Sequence, residues 1–125
     1  MLKLGYKLMS EEHGPLALVH NVRRAEQAGF DFAAISDHFS PWLDEQGHAP
    51  LAWSVLGALA NATSRIGLMT AVTCPIQRYH PAIIAQGAAT MALLSDPSLS
   101  RGRFRPRHSG SGGPAARRVH RFLPA

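Results

Sequence analysis

An acid and an imidazole stand side by side at residues 37 and 38, within the stretch SDHFSPWLDEQGHAP at 36–50. His38 is a candidate general acid or base, because an imidazole gains and loses its proton near neutral pH. Asp37 can accept a hydrogen bond from a ligand hydroxyl or amide. Neighbours on extended backbone point to opposite sides, so Asp37 is not expected to orient His38. Trp42 offers a flat apolar face to a ring or a sugar.

The same residues also have structural interpretations. The Asp37-His38 pair could be a solvated loop pair, and Trp42 could be a packing anchor. His48 and His80 are interpreted as loop residues hydrogen-bonded to backbone. Cys74 is interpreted as a small buried residue, because no motif places a base beside it.

A metal site is a weaker hypothesis. Residues 37, 38, 48 and 80 provide carboxylate and imidazole ligands, but neither HxH nor HExxH spacing occurs. We therefore predict no metal ligands.

The elements that must position these residues alternate between strand and helix three times. Alternating or short apolar runs predict strands at 2–8, 30–36 and 65–72, and helical spacing predicts helices at 15–28, 51–63 and 82–95. Pro15 suits a first helical turn, and Gly29 suits the position after a helix end. The nearly uniformly apolar strands fit a parallel sheet that is buried on both faces. The order indicates an α/β fold with crossover helices.

Two architectures fit this order, an open doubly wound sheet and the first three βα units of a (β/α)8 TIM-type barrel. No GxGxxG follows the first strand, which disfavours a dinucleotide-binding fold. In both architectures the site lies beyond the carboxyl ends of the strands. That rim would hold the turn at 9–11, the pair at 37–38 and the segment 72–75. A whole barrel needs roughly 250 residues, so we expect part of a fold.

The charge is divided unevenly along the chain. Residues 1–100 hold six Lys or Arg and eight Asp or Glu, whereas residues 101–125 hold seven Arg and no acid. This composition predicts a disordered basic tail. Phe104 and Phe122 stand alone in it, without an aromatic platform, so we predict no nucleic-acid partner.

The compartment follows from cysteine usage and hydropathy. A single cysteine excludes an internal disulfide and fits a reducing environment. The first residues do not read as a signal peptide, and no apolar stretch approaches the ~18 residues of a membrane span. We expect a cytoplasmic protein without a membrane partner.

Longer segments resemble a known family. The starting segment LGYKLMSEEHGP, the loop at 36–50, the helix beginning AWSVLGAL and the run RIGLMTAVTCPIQRYHPAIIAQGAATMALLSD are similar to luciferase-like flavin and deazaflavin oxidoreductases. Within them, the chain most resembles the coenzyme F420-dependent glucose-6-phosphate dehydrogenase group. The resemblance covers residues 1 to about 96.

The resemblance implies a (β/α)8 barrel that binds F420 at its carboxyl-end rim. His38 would be the acid or base that acts on a substrate hydroxyl during hydride transfer, and Trp42 would help to stabilise the reacting centre. Coenzyme-contacting residues would be Asp37, Ala71, Val72 and Cys74. Ala71-Val72 falls where the family carries a non-prolyl cis peptide. Full-length relatives would be homodimers that act on a small-molecule substrate.

The chain departs from the family pattern after Asp96. A fourth strand, a Gly-rich loop and a catalytic Glu are expected there, but the chain reads PSLSRGRFRPRHSGSGGPAARRVHRFLPA. We therefore expect a partial barrel at 1–96 and a non-homologous Arg/Pro/Gly-rich tail at 97–125. A frameshift near 97–105 is one hypothesis, because codons for 115–120 shifted by one base can encode a family-like segment. Sequencing the gene would test it.

The sequence thus predicts an oxidoreductase that transfers a hydride between a sugar-phosphate or alcohol CH–OH group and F420, inactive as this truncated chain. Three alternatives remain open. The first is an FMN-dependent luciferase-like monooxygenase, and the second is a non-catalytic fragment that associates with another chain. The third is a metal-dependent hydrolase.

Overall fold

The computed structural model of the chain describes residues 1–96. The predicted tail at 97–125, its disorder and the frameshift hypothesis all lie outside the described residues. The account below concerns residues 1–96.

The predicted alternation of strands and helices is confirmed. Three strands are present, β1 (Gly5–Leu8), β2 (Phe32–Ile35) and β3 (Gly67–Thr70). The helices are α1 (Pro15–Gln27), α2 (Ala52–Ala62), α3 (Pro75–Arg78) and α4 (Pro81–Leu94). Gly29, just past α1, has a φ of 91°, the left-handed conformation that favours glycine after a helix.

Two segments predicted as loops contain short helical turns. A 3-10 turn spans Asp44–Gln46 inside the 37–50 loop. The helix α3 lies inside the segment 74–81, where Pro75 takes the first helical position and the Tyr79 N–H bonds to the Pro75 carbonyl at 3.2 Å. Proline disfavours helical backbone at the preceding residue, so His80, before Pro81, is extended and separates α3 from α4.

The strands form one parallel sheet in the order β1-β2-β3. The register aligns Leu8, Ile35 and Thr70 at the carboxyl ends of the three strands. Consecutive strands are therefore neighbours, with no reversal of strand order. This order is that of successive units of a (β/α)8 barrel, whereas a doubly wound sheet reverses direction at a switch point. The first three strands of a doubly wound sheet also lie side by side before that point, so the order of these three strands fits both predicted architectures.

The helices cover one face of the sheet and enclose the core. Helix α1 packs on α2, and α2 packs on α4. The core residues from the sheet are Leu8, Ala33, Ile35 and Leu68. The core residues from the helices are Leu18, Val22, Ala25, Ala52, Val55, Leu56, Leu59, Ala60 and Met91, joined by Ile66. This layer explains the helical spacing of apolar residues in the sequence.

The opposite face of the sheet is only partly covered. Gly5 and Lys7 of β1, and Gly67 and Met69 of β3, are exposed in the described residues, whereas Ala34 of β2 is buried. The expectation of a sheet buried on both faces is therefore wrong for residues 1–96, because the helices lie on one side alone. In a closed barrel this second face points to the interior.

Glu26 binds the backbone just before β3, at the end of the sheet where the strands begin. Its Oε1 accepts hydrogen bonds from the backbone N–H groups of Ser64, Arg65 and Ile66 at 2.9, 2.6 and 3.0 Å. Burial alone would raise the pKa of Glu26, but the three N–H donors and the Arg65 charge lower it below the ordinary value. The last turn of α1 thus holds the entry to β3.

Within residues 1–96, none of the helices combines the length and the apolar character needed to cross a membrane.

Candidate active site at the carboxyl ends of the strands

Three loops meet at the rim predicted from the sequence. They follow β1, β2 and β3 and are joined by direct hydrogen bonds. Ser10 Oγ donates to the Ser36 carbonyl at 3.1 Å, and the His48 N–H donates to the Glu11 carbonyl at 3.1 Å. Lys7 Nζ donates to Ser36 Oγ at 2.7 Å and to the Ala71 carbonyl at 3.0 Å. The loops therefore form one continuous surface.

His38 is held between a carboxylate and an indole. Its Nδ1 contacts Oε1 of Glu11. Its ring lies edge-on to the Trp42 ring, with centroids 5.1 Å apart and planes at 88°. The imidazole is partly exposed. The two neighbours fix the ring and leave Nε2 as the nitrogen that can meet a ligand.

Trp42 does not bury its side chain as a packing anchor would. The residue is 77% exposed, although its backbone is tied down. Its N–H donates to Gln46 Oε1 at 2.9 Å, as does the N–H of Leu43 at 3.1 Å. The 3-10 turn thus presents the indole to solvent beside His38, so the packing-anchor interpretation is wrong.

Glu11 is a site residue that was predicted to lie on the rim but was given no role. It is 1% exposed, and neither carboxylate oxygen has a hydrogen bond of ordinary geometry in the described residues. His38 Nδ1 is likewise without such a bond, so the two groups meet as a close ion-pair contact. A buried carboxylate is costly without a partner. Its position in the turn that follows β1 was the available signal.

Asp37 faces different partners from His38, as expected from alternation. Oδ1 accepts from Arg78 Nη1 at 2.8 Å and from Tyr79 Oη at 2.9 Å. Oδ2 accepts from Thr73 Oγ1 at 2.8 Å. Arg78 Nη1 also donates to the Asp37 carbonyl at 2.8 Å. All three partners come from the segment after β3, and none of them was predicted to have a role.

Burial and neighbouring charges shift the pKa values of two side chains on the rim. Burial, then the hydrogen bond and charge of Asp37, raise the pKa of the Tyr79 phenol, and Arg78 partly opposes them. Burial lowers the pKa of Lys7, and the charge of Glu11 opposes that change. Both groups are hydrogen-bond donors on the rim, Tyr79 to Asp37 and Lys7 to Ser36 and Ala71.

The remaining predicted site residues lie along the loop after β3. The Ala71–Val72 peptide bond is cis, as the resemblance implied. Val72 is 73% exposed. Cys74 is exposed too, so the expectation that it is buried is wrong. The chain leaves the sheet before it reaches Cys74, which takes the position preceding α3.

The remaining histidines agree in part with their loop interpretation. His80 Nδ1 accepts a hydrogen bond from the Ala82 N–H at 3.2 Å and so caps α4. His48 bonds through its backbone. Across residues 1–96, His, Cys, Asp and Glu side chains form no group of three suited to a metal ion.

The family model described as luciferase-like monooxygenase matches residues 4–122 of the chain. The F420-dependent glucose-6-phosphate dehydrogenase of Amycolatopsis mediterranei is 50% identical over 96 residues, which are 77% of this chain and 29% of that relative. The chain thus spans less than a third of the length of this curated relative. The predicted boundary at residue 97 stays a prediction.

Two solved structures resemble the described fold. An F420-dependent secondary alcohol dehydrogenase, in complex with an F420–acetone adduct, is 37% identical, with a TM-score of 0.72 over 76% of this chain and 29% of that one. The coenzyme F420-dependent tetrahydromethanopterin reductase of Methanopyrus kandleri is 31% identical, with a TM-score of 0.63 over 75% of this chain and 24% of that one. Their likeness confirms the partial barrel.

Proposed function

This chain belongs to the luciferase-like monooxygenase family, and from that premise we propose that it carries part of an F420-dependent oxidoreductase site. The reaction is hydride transfer between F420 and a CH–OH group of a sugar phosphate or an alcohol. A relative named for glucose 6-phosphate and a structure named for secondary alcohols support this substrate class. Both names describe substrates whose oxidised carbon carries a hydroxyl.

The observation that carries the proposal is the arrangement around His38. Glu11 occupies Nδ1, and Trp42 stands against the ring edge. Nε2 is then the atom that takes a proton from the substrate hydroxyl as the alcohol is oxidised, and returns it in the reverse direction. Glu11 steadies the imidazolium that forms.

The residues present fit a deazaflavin ring. F420, when bound, supplies a ring carbon that accepts or gives the hydride. A carboxylate has about four acceptor positions, and three protein donors already contact Asp37. The Asp37 side chain is 1% exposed, so Asp37 would help to hold the ring by fixing the loop that carries it. The exposed Val72 offers apolar surface for a ring face, with Ala71 and Cys74 beside it in the loop.

Coenzyme binding is tested by fluorescence titration of the full chain with F420, with FMN as the competing ligand. We expect saturable F420 binding. In Val72→Glu we expect binding at least roughly tenfold weaker, because a charge would meet the ring. Leu16→Glu is the matched control, since Leu16 is 87% exposed on the helix layer and should leave binding unchanged. Cooperative melting by circular dichroism verifies each variant.

Two results would overturn the proposal. One is a cooperatively folded chain that binds no F420. The other is preferential binding of FMN, which would favour the monooxygenase alternative. Turnover of glucose 6-phosphate or a secondary alcohol is not expected of the isolated chain, and the same samples can be assayed for it.

A second candidate, a non-catalytic chain that associates with another chain, is favoured by the uncovered sheet face. Exposed Met69 and half-buried Phe32 lie on that face. Sedimentation at increasing concentration separates the candidates, because association would appear without coenzyme. Dimer formation and cytoplasmic location remain proposals.

A further inference from the structure

We infer that Arg78 and Tyr79 are positioning residues that fix His38 by holding Asp37, the residue before it. The inference deepens the proposed function and rests on it for the role of His38. Within residues 1–96, no hydrogen bond or ring contact joins either side chain to His38, and both act through Asp37. The catalytic acid or base would thus depend on a loop from a different strand.

Arg78 holds the peptide group from which His38 extends. Its Nη1 donates at 2.8 Å both to Asp37 Oδ1 and to the Asp37 carbonyl. That carbonyl belongs to the same planar peptide as the N–H of His38. A guanidinium bonded to both atoms therefore restricts the rotation of this peptide, and with it the direction of the His38 side chain.

Arg78 also contacts the residue after His38. Its guanidinium carbon lies 5.9 Å from the centre of the Phe39 ring, within cation–π range. The same guanidinium carbon lies 5.0 Å from the centre of the Tyr79 ring. One side chain thus reaches both sequence neighbours of His38, which a randomly placed surface arginine would not do.

Tyr79 completes the enclosure of the Asp37 carboxylate. Its hydroxyl donates to the same Oδ1 at 2.9 Å, and Thr73 donates to Oδ2 at 2.8 Å. The Asp37 side chain is 1% exposed. A carboxylate so buried needs charged and hydrogen-bonding partners, and loses its fixed position when they are removed. Lysine cannot replace Arg78 fully, because it is a compact charge without a planar fork.

His38 is therefore restrained from two sides. The Asp37 clamp, made by Thr73, Arg78 and Tyr79, fixes its backbone, and Glu11 meets its Nδ1. A carboxylate opposite Nδ1 favours the tautomer with the proton on Nδ1. If the clamp opens, the ring drifts from Glu11 and the proton moves toward Nε2, the preferred form of a free imidazole.

The tautomer of His38 gives a readout that needs no coenzyme or turnover. Two-bond ¹H–¹⁵N spectra of the full chain, recorded at alkaline pH, report the proton position for each imidazole. We expect the Nδ1–H form in the wild type. In Arg78→Met we expect the ratio of Nδ1–H to Nε2–H to fall roughly tenfold, because the Glu11 carboxylate would no longer be held against Nδ1. Tyr79→Phe and Arg78→Lys should give smaller decreases.

The controls separate positioning from loss of fold. Arg23→Met removes an exposed arginine from α1, and Tyr6→Phe removes a hydroxyl away from the clamp. Neither should change the His38 tautomer. His80 is an internal reference, because its Nδ1 accepts from Ala82 and so requires the Nε2–H form. Because an unfolded histidine also prefers the Nε2–H form, loss of fold is followed separately by cooperative melting in circular dichroism.

An unchanged His38 ratio in an Arg78→Met variant that melts cooperatively would overturn the inference. If Arg78→Met melts without cooperativity, Tyr79→Phe and Arg78→Lys decide, and unchanged ratios in both overturn it. F420 titration of the wild type is read separately. A tautomer shift in the variants without F420 binding in the wild type would keep the clamp and reject the proposed function.

Discussion

Nδ1 of His38 and Oε1 of Glu11 are in direct contact, although the two residues follow different strands of the sheet. Glu11 is buried without a hydrogen bond of ordinary geometry to either oxygen. Such a group is expensive for folding, and its placement beside an imidazole is typical of sites in which stability is exchanged for function.

Replacing Glu11 with leucine should therefore stabilise the fold. We expect Glu11→Leu to raise the free energy of unfolding by about 1 kcal/mol, because a desolvated carboxylate is exchanged for an apolar side chain of similar size. Urea denaturation measures the change. Glu12→Leu, at the adjacent exposed position, should change stability by less than about 0.5 kcal/mol. A clear loss of stability in Glu11→Leu would show that the contact with His38 stabilises the fold.

Glu26 should make stability depend on acid pH. Its folded pKa is lowered below 4.5, so the unfolded chain binds more protons as the pH falls. The stabilisation is present above the unfolded pKa and is lost as pH falls through the folded pKa. We expect Glu26→Gln to lower the free energy of unfolding by about 1–2 kcal/mol at neutral pH. The same change should make the free energy of unfolding depend less on pH in the acid range. Denaturation as a function of pH, with Glu12→Gln as control, checks this.

Tyr79 should ionise late in an alkaline titration. Burial and Asp37 raise its pKa above the ordinary 10.0. The folded phenol thus keeps its proton to higher pH than the unfolded one. Its contribution to stability is complete below the unfolded pKa and disappears as pH rises through the folded pKa. We expect a late phase in the near-ultraviolet tyrosinate absorbance that is absent in Tyr79→Phe and persists in Tyr6→Phe. A late phase that survives Tyr79→Phe would contradict the assignment.

The same leucine-to-alanine substitution can be made at a buried position, Leu59, and at an exposed position, Leu16. Leu59 is fully buried between α2 and the sheet, whereas Leu16 is exposed on α1. Leu59→Ala should lower the free energy of unfolding by about 2–5 kcal/mol, because it leaves a cavity. Leu16→Ala should change it by less than about 0.5 kcal/mol. Similar losses in both variants would mean that Leu16 is covered in solution.

The fold was predictable where local pattern and global architecture agree. Pro15 and Gly29 bracket α1, and short apolar runs contain all three strands. The barrel order was not decided by residue pattern alone, because consecutive and reversed strand orders share the same alternation. The helix α3 was missed, because four residues after Cys74 are too short to show a helical period.

The site was predictable only in its chemically conspicuous members. His38 and Asp37 stand at a strand end in the sequence, and their location on the rim followed from the architecture. Their partners could not be predicted, because Glu11 lies 27 residues before His38 and Arg78 lies 41 residues after Asp37. Cys74 was expected to be buried from its residue type, but its place before α3 exposes it.

The Glu26 contacts and the Asp37 clamp share no residues and sit at opposite ends of strands that are four residues, or about 13 Å, long. Substitutions at the two ends should then add in their effects on unfolding, since sites this far apart without common partners are energetically independent. Substitutions at Glu26 should therefore change the free energy of unfolding of the whole fold without altering the rim. A graded series at Glu26 would therefore supply the baseline that distinguishes a rim variant with altered chemistry from one that is simply less folded.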